Sequence, residues 1–290
     1  MKYRVRHTTR YAYRRPVDLA SHMLHLLPRP LPWQEVISDA LAIEPPPGRR
    51  VDASDAFGNR TTWLFLDQPH LAFEVTSEAV VAVRCPDPPE DAATPPWEAI
   101  AASARQGGAE GAAAAEFTFP SRMAPASPTA TAYAATSFPA GRPVLAGLRD
   151  LNQRIFREFT FRAGVTTLAT PVSEVMHRRE GVCQDFTHVM LSALRGLGLP
   201  ARYTSGYIRT RPPPGRERRR GADQSHAWVG AWMGPAHGWV QLDPTNGVVV
   251  RDEHVVLAWG RDYGDISPLR GVILGGGAHS LQVSVDLDPL

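Results

Sequence analysis

Polar and apolar residues alternate along the first 85 residues, as they do in strands that bury one face of a sheet. The predicted strands cover residues 2–12, 22–27, 35–43, 60–66 and 71–83. Turn-forming segments at 45–48 and 55–59 interrupt the pattern. The sequence therefore predicts an N-terminal all-β domain over residues 1–85. The pattern indicates no catalytic residues in this domain. We expect the domain to shape one wall of a substrate cleft or to bind a partner.

The composition changes after the last of these strands. Residues 86–142 are rich in proline, alanine and glycine, which predicts a connector with short helices. Apolar residues then recur at helical spacing after Pro143, and strand patterns return from residue 201 onward. Helices and strands mixed in this way predict a third region, over residues 143–290, and an α+β fold class for the whole chain.

One cysteine lies at the predicted start of a buried helix. Gly181 interrupts the preceding segment, and apolar residues recur at helical spacing from Phe186 to Leu197. Cys183 therefore falls in the first helical turn, where unpaired N–H groups and the helix dipole favour a thiolate. The same N–H groups can donate to an oxyanion that forms on a bound carbonyl. Cys183 is the candidate nucleophile.

A predicted β-hairpin supplies the partners of this cysteine. Its strands cover residues 225–233 and 239–243. A two-residue turn at Gly234 and Pro235 would place His226 directly opposite Asp243, and any register of the same parity keeps both side chains on one face. A carboxylate in that position holds the imidazole in one tautomer, and the imidazole activates the thiol. The sequence thus predicts a Cys183, His226 and Asp243 triad.

Two other interpretations of these residues remain open. A single buried cysteine is often an apolar filler, and a single histidine in a strand is often structural. A zinc site formed by Cys183, His188, His226 and Asp243 is the alternative chemistry, but the closely spaced ligand pairs that zinc sites favour are absent. We therefore expect no metal and no cofactor.

Charge and cysteine content narrow the classes of partner. The 290 residues contain 31 basic and 29 acidic side chains, a net charge of +2, so the composition does not indicate a nucleic-acid partner. Cys85 and Cys183 are too few for a disulfide scaffold and suit a reducing compartment. The chain enters the first strand pattern without an apolar signal core, and it has no membrane-spanning segment. We expect a cytoplasmic location and no membrane partner.

Three short segments resemble the core of bacterial transglutaminase-like proteins. They are residues 181–186, 225–228 and 242–245, in the order that the family shows, and the N-terminal region resembles the β domain that precedes this core in bacteria. The resemblance implies a papain-like transglutaminase core with the cysteine helix packed on an antiparallel sheet. It also implies that Cys183, His226 and Asp243 form the catalytic triad.

The resemblance implies acyl transfer from a peptide or protein amide through a thioester. We favour water as the acceptor, which makes the protein a peptidase or amidase. A crosslinking protein-glutamine gamma-glutamyltransferase and a non-catalytic peptide-binding module are the alternatives. The oligomeric state is open, with a homodimer as one option.

Further residues are predicted to line the walls of the cleft. Candidates to contact the oxyanion or line the substrate site are Gln184, Tyr203, Tyr207 and Trp228. The basic segment Arg211–Arg220 is either a solvated insertion or a gate that recognises a carboxylate on the substrate.

Overall fold

The computed structural model describes residues 1–107, 109–210 and 224–290. Within them the helices are α1 (Trp97–Gln106), α2 (Ala109–Ala115), α3 (Pro128–Ala135), α4 (Val144–Glu158), α5 (Val172–Arg178) and α6 (Cys183–Gly196). The strands are β1 (Lys2–Leu24), β2 (Gln34–Glu44), β3 (Arg49–Ser54), β4 (Arg60–Leu66), β5 (His70–Val83), β6 (Thr160–Phe161), β7 (Glu180–Gly181), β8 (Ala201–Ile208), β9 (Gln224–Trp232), β10 (Trp239–Asp243), β11 (Val248–Val249), β12 (His254–Gly260), β13 (Leu269–Gly275) and β14 (His279–Pro289).

The first sheet is antiparallel and is built around the long strand β1. Its strand order is β2-β5-β1-β4-β3, and β13 and β14 also pair with β1. The first half of β1 lies between β5 and β14, and the second half lies between β4 and β13. Burial alternates along β1, as expected for a strand with one face toward the core. Tyr3 and Val5 are buried, while Arg4 and Arg6 are exposed.

Three features of this sheet differ from the sequence prediction. The predicted separation of the strands 2–12 and 22–27 is wrong, because β1 continues through Pro16, where its register opposite β5 is irregular. Strand β3 was not predicted, since all six of its residues are exposed and it has no buried face to produce alternation. Strands β13 and β14 belong to this sheet, although the sequence assigned them to the region 143–290. The division into three domains stays a prediction.

The second sheet carries the helical half of the protein. It is antiparallel, with strand order β11-β10-β9-β8-β12, and α6 packs against β8 and β9. The contact buries apolar residues from both sides, including Val189 and Leu194 of α6 and Val229 of β9. Helices α3, α4 and α5 pack on α6 in turn. The predicted fold class is confirmed: an N-terminal β region is followed by a core in which the cysteine helix lies on an antiparallel sheet.

Two amide side chains of the first sheet region dock it onto the edge of the second. Gln34 donates to the carbonyl of Val256 at 2.7 Å and accepts from its N–H at 2.8 Å. Asn59 does the same for Trp259, at 2.7 and 2.9 Å. Together with the N–H of Arg29, which donates to the carbonyl of Val256 at 3.3 Å, these bonds satisfy outward-facing backbone groups of the edge strand β12.

No helix in the described parts of the chain is long and apolar enough to cross a membrane.

Replacement of Gln34 by leucine should destabilise the protein. The side chain is 1% exposed, and its loss leaves the N–H of Val256 and the carbonyl of Arg29 unpaired, while the carbonyl of Val256 keeps the N–H of Arg29 at 3.3 Å. Each unpaired buried group costs roughly 1–3 kcal/mol, so we expect the free energy of unfolding to fall by about 2–4 kcal/mol in urea titrations. The exposed Gln68→Leu variant is the control. A loss for Gln34→Leu no larger than that of the control would contradict the role of this side chain.

Candidate active site

The start of α6 presents the cysteine with free backbone donors beside it. Asp185 folds back so that one carboxylate oxygen accepts the N–H of Val182 at 2.8 Å. A Cβ at Gly181 would lie 2.7 Å from the same oxygen, so glycine is required for this cap. Among the described residues, the N–H groups of Cys183 and Gln184 have no acceptor. The cap therefore orders the turn and leaves two donors available at the thiol.

The β9–β10 hairpin brings the histidine to the aspartate, but in a different register from the one predicted. Trp239 pairs with Trp232, so the connection spans residues 233–238 and the predicted two-residue turn is wrong. His226 and Asp243 are consequently diagonal neighbours and are not directly opposed. Because the register keeps the predicted parity, both side chains still lie on one face, and His226 Nε2 is 2.7 Å from Asp243 Oδ2.

Asp243 is fully buried, and polar groups surround both of its oxygens. Oδ2 lies 2.7 Å from His226 Nε2, 2.6 Å from Asn246 Nδ2 and 3.1 Å from His254 Nε2. Oδ1 accepts the N–H groups of Thr245 at 3.0 Å and Asn246 at 3.2 Å. Burial raises the pKa of this carboxyl, but the hydrogen bonds from the two imidazoles outweigh it and hold the pKa well below its ordinary value. Asp243 is therefore an ionised carboxylate.

The imidazole of His226 is held in its charged form. Burial lowers its pKa, but hydrogen bonds with Asp243 and with Cys183 outweigh burial and raise the pKa to about 10. Because Nε2 faces Asp243, Nδ1 is the nitrogen left to face the thiol. This orientation suits an imidazolium paired with a cysteine thiolate.

The cysteine and the histidine open into one cleft of about 270 Å³. Gln184 and Tyr203, two of the predicted lining residues, are in its wall. Tyr203 is buried, and burial, followed by the proximity of Cys183, raises the pKa of its hydroxyl well above the ordinary value. Tyr11 and Leu281 of the first sheet form part of the opposite wall. The N-terminal sheet thus contributes directly to the cleft.

The other two predicted lining residues are turned away from the cleft. The hydroxyl of Tyr207 is 2.8 Å from Nδ1 of His7, so it ties the second sheet to β1. Trp228 is fully buried and donates its indole N–H to Gln241 Oε1 at 3.0 Å. Both side chains have satisfied their polar groups inside the protein, and neither is available to a substrate.

The four ligands of the alternative zinc site do not come together. His188 Nε2 accepts the backbone N–H of Tyr263 at 3.3 Å, and burial lowers the pKa of its imidazole to about 4. In the described residues, the cluster with metal-ligating atoms within 4.8 Å of one another is His226, Asp243 and His254. It includes neither His188 nor Cys183, and its facing atoms already bond to one another.

Sequence reasoning missed Asn246 and His254. Asn246 follows Asp243 closely enough that the turn chemistry of the Asp-Pro-Thr-Asn segment could have indicated it. His254 gave no comparable signal, because the first residue of β12 reaches Asp243 only through the tertiary fold. Its Nδ1 is buried and has no partner among the described residues. The segment Arg211–Arg220, considered as a gate, lies outside the described residues.

Comparisons with known proteins agree with this architecture. Residues 3–82 match the bacterial transglutaminase-like N-terminal region, and residues 132–244 match the transglutaminase-like superfamily. An uncharacterized protein of Mycobacterium tuberculosis is 40% identical over 295 residues, which cover 99% of this chain and 93% of the relative.

Two further matches are more distant or shorter. A protein-glutamine gamma-glutamyltransferase of Pseudomonas aeruginosa is 37% identical over 68 residues, 23% of this chain and 10% of that protein. The crystal structure of a candidate cysteine protease from Cytophaga hutchinsonii superposes with a TM-score of 0.72 at 20% identity, covering 99% of this chain and 90% of the other. The second match shows the shared fold.

The Asp243→Asn variant should lower the pKa of His226. In the wild type the raised pKa keeps the imidazole charged as the pH rises from 6.5 to about 10, and that charge is lost above this value. Without the carboxylate, the imidazolium should lose its proton at a lower pH. NMR titration of labelled histidine measures the shift, with the exposed Asp18→Asn variant as control. A wild-type midpoint near 6.5, or one that Asp243→Asn leaves unchanged, would contradict the assigned pair.

Proposed function

The chain belongs to the transglutaminase-like superfamily, and we propose that it is a cysteine-dependent acyl-transfer enzyme that hydrolyses peptide or isopeptide amide bonds. One observation carries the proposal: the buried pair of Asp243 and His226 faces Cys183 at a helix start with free N–H donors. A merely structural cysteine does not need an oriented imidazole, an ionised carboxylate and open donors around one cleft.

The first half of the reaction forms a thioester. In the resting pair the thiol proton already lies on His226 Nδ1, and the Cys183 thiolate attacks the amide carbonyl carbon. The carbonyl oxygen becomes an oxyanion, which accepts hydrogen bonds from the N–H groups of Cys183 and Gln184. As the C–N bond breaks, His226 returns its proton to the leaving amine. Asp243 holds the imidazole orientation throughout.

The second half releases the acyl group. Water enters the cleft, His226 Nδ1 removes one proton, and the oxygen attacks the thioester carbonyl. Collapse of the second tetrahedral intermediate expels the Cys183 thiolate and yields a carboxylic acid. The same oxyanion donors serve both steps, because both intermediates place negative charge on the same oxygen.

Crosslinking is the second candidate, and it differs only in the acceptor. The local similarity to a protein-glutamine gamma-glutamyltransferase supports it. A primary amine in place of water would attack the same thioester and give a new amide. The lining of the cleft is compatible with either acceptor, and the reaction products distinguish the two candidates.

A product assay separates the candidates. Peptide mixtures are incubated with the protein in ¹⁸O-labelled water with a fluorescent primary amine present, and the products are identified by mass spectrometry. Hydrolysis gives new carboxylates that carry ¹⁸O, and transfer gives amine adducts. We expect ¹⁸O-labelled carboxylates, and a rate at least about 10³-fold lower for Cys183→Ala.

The matched control is Cys85→Ala, which removes the other thiol and should leave the rate unchanged. Turnover that survives Cys183→Ala would contradict the mechanism. Saturable peptide binding without turnover by the wild type would favour a binding module.

A further inference from the structure

A second cavity adjoins the catalytic cleft. It has a volume of about 600 Å³, and Tyr263 lines both spaces. The segment 261–270 forms the boundary, since Pro268 and Leu269 face the cleft while Ser267 and Arg270 face the second cavity. An extended substrate held at Cys183 can therefore continue past Tyr263 into this space.

The carboxylates of the second cavity are already occupied by groups of the protein. Asp262 is buried, and its two oxygens accept the N–H groups of Met123 and Gly264, each at 2.8 Å. Asp265 accepts two hydrogen bonds from the guanidinium of Arg261, each at 2.9 Å. Asp265 also feels the charge of Arg270, but neither carboxylate forms an ion pair within 4.0 Å with Arg122 or Arg270.

Two arginines of the cavity form no ion pair with a carboxylate among the described residues. Arg122 is exposed, and it has no hydrogen bond or ion pair within the parts of the chain that are described. Arg270 is also exposed. Its guanidinium donates to the carbonyl of Gly264 at 2.9 Å and to the sulfur of Met23 at 3.6 Å, with no carboxylate within 4.0 Å among the described residues. Both retain open N–H donors in a fork that matches a carboxylate.

The catalytic cleft, in contrast to the second cavity, is lined mostly by uncharged side chains. Apart from Cys183 and His226, its described lining contains no side chain that carries a charge at neutral pH. His7 is in the lining, but burial lowers its pKa to about 4, and it is neutral there. A substrate that fits both spaces is therefore uncharged beside the scissile amide and anionic farther along the chain.

We propose that Arg122 and Arg270 form a subsite for a carboxylate of the peptide substrate, on the far side of Tyr263 from Cys183. The inference rests on the proposed amide chemistry and names its substrate class: peptides with an uncharged residue at the scissile bond and a carboxylate several residues away. That carboxylate is either an acidic side chain or the C-terminus of the peptide.

Binding to the inactive full-length Cys183→Ala protein tests the subsite without requiring turnover. The probes are dye-labelled octapeptides of alanine and serine with one central glutamine, measured by fluorescence polarisation. In one arm a glutamate replaces each other position in turn and the C-terminus is amidated. In the other arm no glutamate is present and the C-terminus is free. The reference peptide has neither carboxylate.

We expect at least one carboxylate peptide to bind about tenfold tighter than the reference, as one charge-assisted pair predicts. The double variant Arg122→Gln and Arg270→Gln should abolish the difference. Arg157→Gln should retain it, since Arg157 is exposed and has no ion pair among the described residues. The arm that shows the preference identifies the source of the carboxylate. Equal binding of all peptides, or a preference that survives loss of both arginines, would overturn the subsite.

Turnover by the active enzyme distinguishes failure of the carboxylate subsite from failure of the proposed function. If the enzyme cleaves the reference and the acidic peptides with equal kcat/KM, the amide chemistry stands and the subsite is wrong. If the subsite exists, the double arginine variant should raise KM for the acidic peptide and leave kcat unchanged. Selective carboxylate binding with no cleavage of any peptide would retain the subsite and refute the enzyme.

Discussion

A single buried charge, the carboxylate of Asp243, sets the requirements for the rest of the site. An ionised carboxylate with no exposed surface is costly unless polar groups surround it. Here two imidazoles, an asparagine side chain and two backbone N–H groups do so. The same set of bonds fixes the His226 ring, because the carboxylate oxygen that His226 faces is held in place by its other donors. Positioning of the imidazole is therefore a consequence of satisfying the buried charge.

This requirement extends to the N-terminal region through strand β12. His254 begins that strand and donates to Asp243, while Val256 and Trp259 farther along it are held by Gln34 and Asn59. The first sheet thus supports the strand that supports the carboxylate. The first sheet also supplies part of the cleft wall. Its strand β13 begins at the boundary between the cleft and the second cavity, with Leu269 lining the cleft and Arg270 lining the cavity. The two regions together line the cleft, which agrees with one of the two roles that the sequence analysis considers for the N-terminal region, shaping a wall of the cleft.

The sequence predicted the parts of the site that depend on local patterns. A glycine before helical spacing located Cys183 at a helix start, and the period of two along the strands put His226 and Asp243 on one face despite a wrong turn length. It could not predict contacts made by tertiary folding. His254 reaches Asp243 from a strand three places away in the sheet order, and β13 and β14, near the C-terminal end of the sequence, pair with β1 at its start. Tyr207 and Trp228 were misplaced because strand aromatics give no sign of which partner satisfies their polar atoms.

The most direct test of the account is the pH dependence of iodoacetamide alkylation at each cysteine, followed by peptide mass spectrometry. Cys85 is an internal reference, since burial raises the pKa of its thiol to about 11. The account predicts that Cys183 reacts rapidly near pH 6 and that His226→Ala removes this reactivity. If Cys183 reacts no faster than Cys85 at that pH, the thiolate–imidazolium pair does not form and the central claim is wrong.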